Sequence, residues 1–496
     1  MSTNQQMAGN VLGIELPEQG LPTITAKQRM AIPRQPMPEQ AAEERIQNFG
    51  EVPKGFDDIT ARIEALRCIQ CKNPPCVKGC PVSIHIPDFI TEVAAGRFAN
   101  AARVIKQDNF LPAICGRVCP QETQCEHVCT IGKKNEPVAI GRLERFVADW
   151  EREHDQVQPL EVVSSTGKKV AIVGAGPAGL SAAADLARMG HEVVLFEALH
   201  RAGGVLIYGI PEFRLPKHIV DFEVQQLVHA GVSLRTSVVI GQTITMEELQ
   251  NTYNAVFVAT GAGLPYFMNI AGENLNGVYS ANEYLTRVNL MKAYDRSADT
   301  PIAESRNVAV VGGGNVAMDG ARTAKRLGAD HVYLVYRRTR DEMPARHEEV
   351  EHAEAEGIEF MLLHNPVRYE GDAQGRVNKA VCEKMQLGEP DASGRRRPVP
   401  TGEFVELDVD TVIVAIGNGP NPLVPRTTEG LAIKRWGNIK AEASTGRTSL
   451  KGVWAGGDIV LGAATVILAM GAGRAAAKSI DEYLRTGEWP EVTFSS

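Results

Sequence analysis

Eight of the nine cysteines crowd into one stretch: Cys68-x2-Cys71-x4-Cys76-x3-Cys80-Pro81, then Cys115-x3-Cys119-Pro120, Cys125 and Cys129. Thiolates spaced this closely can take the corners of an iron-sulfur cluster, and in bacterial ferredoxin runs the cysteine before proline ligates the other cluster. The gaps here are not those of a ferredoxin. Zinc uses the same ligand type, but it carries no electrons and would sit oddly beside two dinucleotide-binding units. Counting alone divides the eight cysteines four and four. The ninth, Cys382, stands by itself, so the nucleotide-binding region has no dithiol relay and electrons are expected to leave through metal. No Ser-His-Asp set, zinc-protease motif or Walker loop accompanies them, and His85, His127 and His347 read as ordinary surface or packing residues.

The second chemistry-bearing pattern is Gly174-Ala-Gly176-Pro177-Ala178-Gly179, set between a Val/Ile strand and an Ala/Leu helix, with Glu197 ending the next strand. Gly174 suits the tight turn, Gly176 the approach of a pyrophosphate, and Gly179 close helix-strand packing. The helix N-terminus offers free N–H groups, and the acid can accept from ribose hydroxyls. Gly204 and Gly261, in later turns of the same unit, join the candidates. A second loop, Gly312-Gly313-Gly314-Asn315-Val316-Ala317, repeats the design, but its following strand ends in Arg337 and Arg338 rather than an acid. Guanidinium groups can hold a 2′-phosphate that a carboxylate would repel, so NADP(H) is expected there. Near the C-terminus Gly457 and Asp458 close a strand. In two-dinucleotide flavoproteins such an acid meets the ribityl chain of FAD, and the helix after it points its N-terminus at the flavin ring.

These residues need elements to hold them. Helical patches from about Asp57 to Trp150 alternate with Cys-Pro and Cys-Gly turns, which reads as a small helical domain whose metal supplies what its core lacks. From Lys168 onward strands and helices alternate, as in βαβ units. Residues 1 to about 55 are rich in Pro, Gln and Glu and read as an extended segment over a surface, one that a partner could order. A chain of 496 residues calls for more than one core. The net charge of -8 argues against nucleic acid or an anionic membrane as partner. No run of apolar residues is long enough to span a bilayer, and the first residues lack the pattern of a signal peptide. A cytoplasmic protein is expected, and with it reduced cysteines rather than disulfides.

The stretches RCIQCKNPPCVKGCPVSIHIPDFI, ICGRVCPQETQCEHVC, PVAIGRLERF, VAIVGAGPAGLSAA, VGGGNVAMD, YRRTRDEMPAR and WAGGD together resemble the small (beta) subunit family of NADPH-dependent glutamate synthase. That family takes in the large subunit of the electron-bifurcating NADH-dependent ferredoxin:NADP oxidoreductase, the sulfide dehydrogenase alpha subunit and the N-terminal half of dihydropyrimidine dehydrogenase. The resemblance runs from about Lys27 to the end. It implies FAD, NADP(H) and two [4Fe-4S] clusters with interleaved ligands: Cys68, Cys71, Cys76 and Cys129 for one, and Cys80, Cys119 and Cys125 for the other. By the same resemblance, Glu144 would take the fourth place of the second set instead of Cys115. An exposed helix carboxylate is the plain alternative for Glu144.

The expected fold is therefore α/β. An N-terminal α-helical double [4Fe-4S] domain precedes two Rossmann-like dinucleotide-binding domains, with the FAD domain discontinuous and the NADP(H) domain inserted in it. The expected boundaries are an extended segment 1–55, the cluster domain 56–160, a first FAD-binding segment 165–297, the NAD(P)H domain 298–415 and a second FAD-binding segment 416–496. The resemblance implies hydride transfer from NADPH to FAD with no catalytic acid or base. Single electrons would then pass through the clusters to a larger catalytic or flavoprotein partner, with ferredoxin a further candidate. Two activities are expected in close competition: the NADPH-oxidising subunit of glutamate synthase, and a bifurcating subunit working with an NADH-handling flavoprotein. The chain has no room for an FMN barrel or an amidotransferase domain, so it is not expected to make glutamate by itself. A redox-sensing scaffold is a third reading, disfavoured by a complete set of site residues.

Overall fold

The computed structural model describes residues 10–494 apart from 12–13, 19, 393 and 493. Residues 1–9, 12–13 and 19 of the expected N-terminal segment therefore lie outside the described residues.

Six helices build the cysteine-rich region: α1 (Asp58–Leu66), α2 (Pro75–Lys78), α3 (Ile86–Ala94), α4 (Phe98–Asp108), α5 (Pro112–Val118) and α6 (Ile140–Glu153). Asp57 caps α1 by accepting from the Thr60 N–H at 2.7 Å. Proline occupies the first turn of α2, α3 and α5, where its missing N–H would have had no partner. Apolar residues at three- and four-residue intervals bury one side of each longer helix, as Phe89, Ile90 and Val93 do in α3 and Ala101, Ala102 and Ile105 in α4.

After this region come β1 (Lys169–Val173), α7 (Pro177–Arg188), β2 (Glu192–Phe196), α8 (Lys217–His229), β3 (Ser233–Arg235), β4 (Ala255–Val258) and β5 (Val278–Ser280). The pattern continues with β6 (Asn307–Val311), α9 (Asn315–Arg326), β7 (His331–Tyr336), α10 (His347–Ala355) and β8 (Glu359–Leu362). The last elements are β9 (His364–Gly371), β10 (Val377–Pro390), β11 (Arg396–Asp408), β12 (Thr411–Val414), β13 (Val453–Ala455) and α11 (Val466–Thr486).

Two five-stranded parallel sheets result, ordered β13-β4-β1-β2-β3 and β8-β7-β6-β12-β5. Their strands are nearly continuous apolar runs because helices cover both faces. The first sheet begins with β1 and is completed only by β13, about 280 residues later, with the whole second sheet between. Val278–Ser280 already pairs with β12 of the second sheet, although it lies ahead of the boundary expected at 297/298. An antiparallel sheet of β9, β10 and β11 stands beside the second unit.

The described residues of the N-terminal segment include two short helices, Ala26–Ala31 and Ala42–Arg45, rather than running extended throughout, and this chain itself supplies their partners. Arg34 reaches Glu126 at 2.8 Å and the Pro137 carbonyl at 2.9 Å. Arg45 pairs with the buried Glu356 of the second unit at 2.8 Å. Phe49 stacks on Tyr294, with ring centroids 4.8 Å apart, and the Val52 N–H donates to the Phe213 carbonyl. The segment thus straps the cysteine-rich region to both sheets.

Glu223 of helix α8 is buried against α5, with Lys106 and Glu151 nearby. Burial pushes its pKa up to about 7, above its unfolded value. The protonated group's contribution to stability is therefore present below about pH 4.5 and lost as the pH rises through about 7. Glu223→Gln is expected to stabilise the protein by roughly 3 kcal/mol at pH 8 and by less than about 1 kcal/mol at pH 5, checked by urea unfolding at the two pH values.

Candidate cofactor and cluster sites

In the first glycine loop Gly174 has φ +109°, and a Cβ there would lie 2.4 Å from the Ala259 carbonyl oxygen. Gly179 is tighter still, since its Cβ would stand 1.9 Å from the Gly174 oxygen. Gly176 caps α7 and Pro177 begins it, so the helix N-terminus opens directly at the loop. Glu197 is buried and braces the loop: Oε2 accepts from the Ala175 N–H and Oε1 from the Leu199 N–H, both at 2.9 Å. Gly204 lies against Gly176, and the Gly261 carbonyl accepts from Asn421. Gly457, at φ +74°, sits over Ala178, which brings Asp458 to the same loop although 279 residues separate Asp458 from Gly179.

Burial raises the Asp458 carboxyl to about 6. Burial, then Asp458 and Glu197, push the Tyr208 phenol up to about 12, so all three groups share one region. Tyr208 carried no motif that would have flagged it. Polar groups of this kind, free N–H groups and buried acids fit the hydroxyls and phosphates of a flavin dinucleotide.

The second loop repeats the geometry. Gly312 meets the Ala415 oxygen as Gly174 meets that of Ala259, Gly314 caps α9 at Asn315, Val316 is exposed and Ala317 is buried. The two arginines diverge. Arg337 is exposed at the end of β7, whereas Arg338 is 5% exposed and bonded away from the loop, to Asp391 at 2.6 Å and the Arg396 carbonyl at 2.7 Å. The antiparallel β10–β11 pair thus folds over the end of β7 and fastens Arg338.

The cysteines separate into two neighbourhoods. Cys68, Cys71, Cys76 and Cys129 line one small apolar hollow with Pro74, Ile86 and Ile131, and all four are partly exposed. After burial, the mutual repulsion of Cys68, Cys71 and Cys129 raises the thiol pKa of Cys76 to about 12. Cys80, Cys119 and Cys125 are buried around Glu144. Burial raises Cys80 and Cys125, while contact with Cys115 and then burial raise Cys119; Glu144 adds to all three. Glu144 is 6% exposed rather than a surface carboxylate. Burial lifts it to about 8 against the opposing bond from Asn109 Nδ2 at 2.6 Å. Cys115 is also buried here, its sulfur in contact with Cys119 and directed at Met470 at 3.5 Å and at Asn109.

Four sulfurs on one zinc ion would stand about 3.8 Å apart. Among the described residues no three cysteine sulfurs lie within 4.8 Å of one another, and the only trio that close is Glu39, Glu348 and His352. Thiolates grouped around shared, buried space are the donor set of an iron-sulfur cluster. The trio is already bound up in ion pairs with Arg45, Arg142 and Arg346.

The buried cysteine set abuts α11, the helix that follows Asp458. Gly471 packs on Pro81, Arg474 donates to the Val82 carbonyl, and Gln124 donates to Thr465 at 3.4 Å. His85 pairs with Asp108 on the surface. Cys382 is enclosed in β10, and burial pushes its thiol to about 12. No described helix is long and apolar enough to cross a membrane.

Fold and sites define a pyridine-nucleotide- and flavin-dependent oxidoreductase with a 4Fe-4S domain. Residues 168–476 match the pyridine nucleotide-disulphide oxidoreductase family, and residues 45–156 match dihydropyrimidine dehydrogenase domain II, 4Fe-4S cluster. The chain belongs to the glutamate synthase small-chain family. It is 38% identical to the NADPH glutamate synthase small chain of Azospirillum brasilense, covering 91% of this chain and 95% of that one, and 35% identical to that of Escherichia coli, covering 92% and 97%. It is also 42% identical to the NADP(+)-dependent formate dehydrogenase subunit beta of Moorella thermoacetica, covering 83% of this chain but only 60% of that protein's length. Mycobacterium tuberculosis FprA in complex with NADPH shares the fold, with TM-score 0.53 at 22% identity over 66% of this chain and 87% of that one.

Proposed function

We propose that this chain is the NADPH-oxidising subunit of a glutamate synthase-type complex. FAD would lie at Gly174–Gly179 with Glu197, Gly204, Gly261, Gly457 and Asp458, and NADP(H) at Gly312–Ala317 with Arg337. Cys68, Cys71, Cys76 and Cys129 would hold one [4Fe-4S] cluster, and Cys80, Cys119, Cys125 and Glu144 a second. FAD supplies the change from hydride chemistry to single electrons, and the clusters supply conduction to a partner. The residues bind, orient and exclude water; none needs to act as acid or base.

The observation that carries this reading is the packing of the buried cysteine set on α11, with the partly exposed set at the surface where a partner subunit can approach. The near-complete mutual coverage with the glutamate synthase small chains supports that partner class. The higher identity to the Moorella formate dehydrogenase subunit favours a second reading, in which the same electron path serves another oxidoreductase, as it would in a bifurcating complex. The complex purified from its native source decides between them. NADPH consumption that requires L-glutamine and 2-oxoglutarate upholds the first reading, whereas a requirement for NAD and ferredoxin, or for another acceptor, replaces it.

The divergence of the arginines gives a sharper expectation. Arg337→Ala should raise KM for NADPH about 10- to 100-fold, the loss of a charge-assisted bond, and leave KM for NADH unchanged. Arg338→Ala should instead cost roughly 1–3 kcal/mol of stability by removing the buried guanidinium's bonds to Asp391 and the Arg396 carbonyl, with a smaller effect on KM. Steady-state kinetics and thermal melts on both variants separate the two roles.

A further inference from the structure

Arg346 stands where three regions of the chain meet. Its backbone N–H donates to Asn315 Oδ1 at 2.9 Å, and the neighbouring Ala345 N–H donates to the Gly313 carbonyl at 3.2 Å. The segment before α10 is therefore fastened to the second glycine loop. The guanidinium turns the other way, toward the cysteine-rich region. Nη1 donates to the Arg117 carbonyl at 2.8 Å and Nη2 to Gln121 Oε1 at 3.2 Å. Those acceptors lie two residues before and two residues after Cys119.

The side chain is 8% exposed, and its Nε has no hydrogen-bond acceptor. The carboxylates of Glu122 and Glu348, both partly exposed, lie 3.7 Å and 3.0 Å from it. A guanidinium is always charged and presents its donors in a fixed fork; besides the two acceptors of the Cys119 loop, Nη2 also donates to Glu348.

We propose that Arg346 is a positioning residue that ties the Cys119 loop to the second glycine loop and, through its charge, raises the reduction potential of the cluster held by Cys80, Cys119, Cys125 and Glu144. The inference rests on that ligand set as given under Proposed function. Reduction adds negative charge to an already anionic thiolate-bound cluster, so a buried cation nearby favours the reduced form. Glu122, in the same loop three residues after Cys119, and Glu348 carry the opposite charge and work against it.

The test is EPR-monitored redox titration of the iron-loaded protein, comparing wild type with R346Q, R346K and E122Q. R346Q is expected to lower one cluster midpoint by the equivalent of about tenfold in the reduction equilibrium, ~59 mV for one electron, and to leave the other in place. R346K, which keeps the charge but not the fork, should restore most of the shift, and E122Q should move the same midpoint upward. A purely structural role would move R346Q and R346K equally and leave E122Q unchanged, and that result, or unmoved midpoints throughout, overturns the proposal. A wild-type protein with only one cluster signal would instead remove the ligand-set reading, and this inference with it.

Discussion

Gly179→Ala is expected to yield protein without flavin and with a sharply lowered melting temperature. The added methyl would stand 1.9 Å from the Gly174 carbonyl oxygen and 3.3 Å from the Ile172 side chain. No flexible side-chain end is available to move aside: the first obstacle is backbone at the turn between β1 and α7, and Ala259 confines that turn from the far side. Relief would require α7 to lift from β1, which breaks the packing of α7 on α11 as well. Overpacking in a confined core costs about 1–3 kcal/mol and occasionally more; this site belongs at the upper end because the clash is with backbone. Absorbance of the purified protein near 450 nm and a thermal melt check it. Retention of stoichiometric flavin in the variant would contradict the placement of the pyrophosphate at this loop.

Iron content gives the second large effect. With two four-iron clusters the intact protein carries about eight irons, and Cys80→Ala is expected to reduce this to about four by dismantling the buried cluster alone. On the proposed ligand set Cys115→Ser should keep all eight, since Glu144 beside Cys80, Cys119 and Cys125 takes the fourth place even though the Cys115 thiol touches Cys119 as well as Met470 and Asn109. The pair of variants is more informative than either alone. Equal losses from both would make Cys115 a ligand and return Glu144 to a buried acid held by Asn109. Iron and acid-labile sulfide assays on anaerobically purified protein distinguish the outcomes.

The two glycine loops were legible in the sequence because everything that makes them lies within about 30 residues: strand, turn, helix and the Glu197 or Arg337 that ends the next strand. Asp458 was legible by resemblance, although its arrival at Gly176–Gly179 depends on β13 completing a sheet begun at β1. The division of the cysteines could not be read from spacing, since Cys129 joins a hollow with Cys68 while the intervening Cys80 and Cys119 lie elsewhere, and counting favoured Cys115 over Glu144. What stayed hidden depends on partners distant in sequence. Arg338 is taken by Asp391, 53 residues on. Arg346 reaches Arg117 and Gln121, more than 220 residues back. Arg45 finds Glu356 across 311 positions. Guanidinium groups at a strand end or in a loop look solvated until the fold supplies their acceptors. The early pairing of Val278–Ser280 with the second sheet was equally hidden, because three residues carry no periodicity of their own.

Whether electrons from NADPH reach iron held by this chain is decided by anaerobic titration of the iron-loaded protein with NADPH, with flavin absorbance and low-temperature EPR followed on the same samples. The flavin is expected to bleach, and signals of reduced [4Fe-4S] clusters to appear, as NADPH is added. Bleaching with no cluster signal, in protein shown to contain its iron, would contradict an electron path from flavin to cluster.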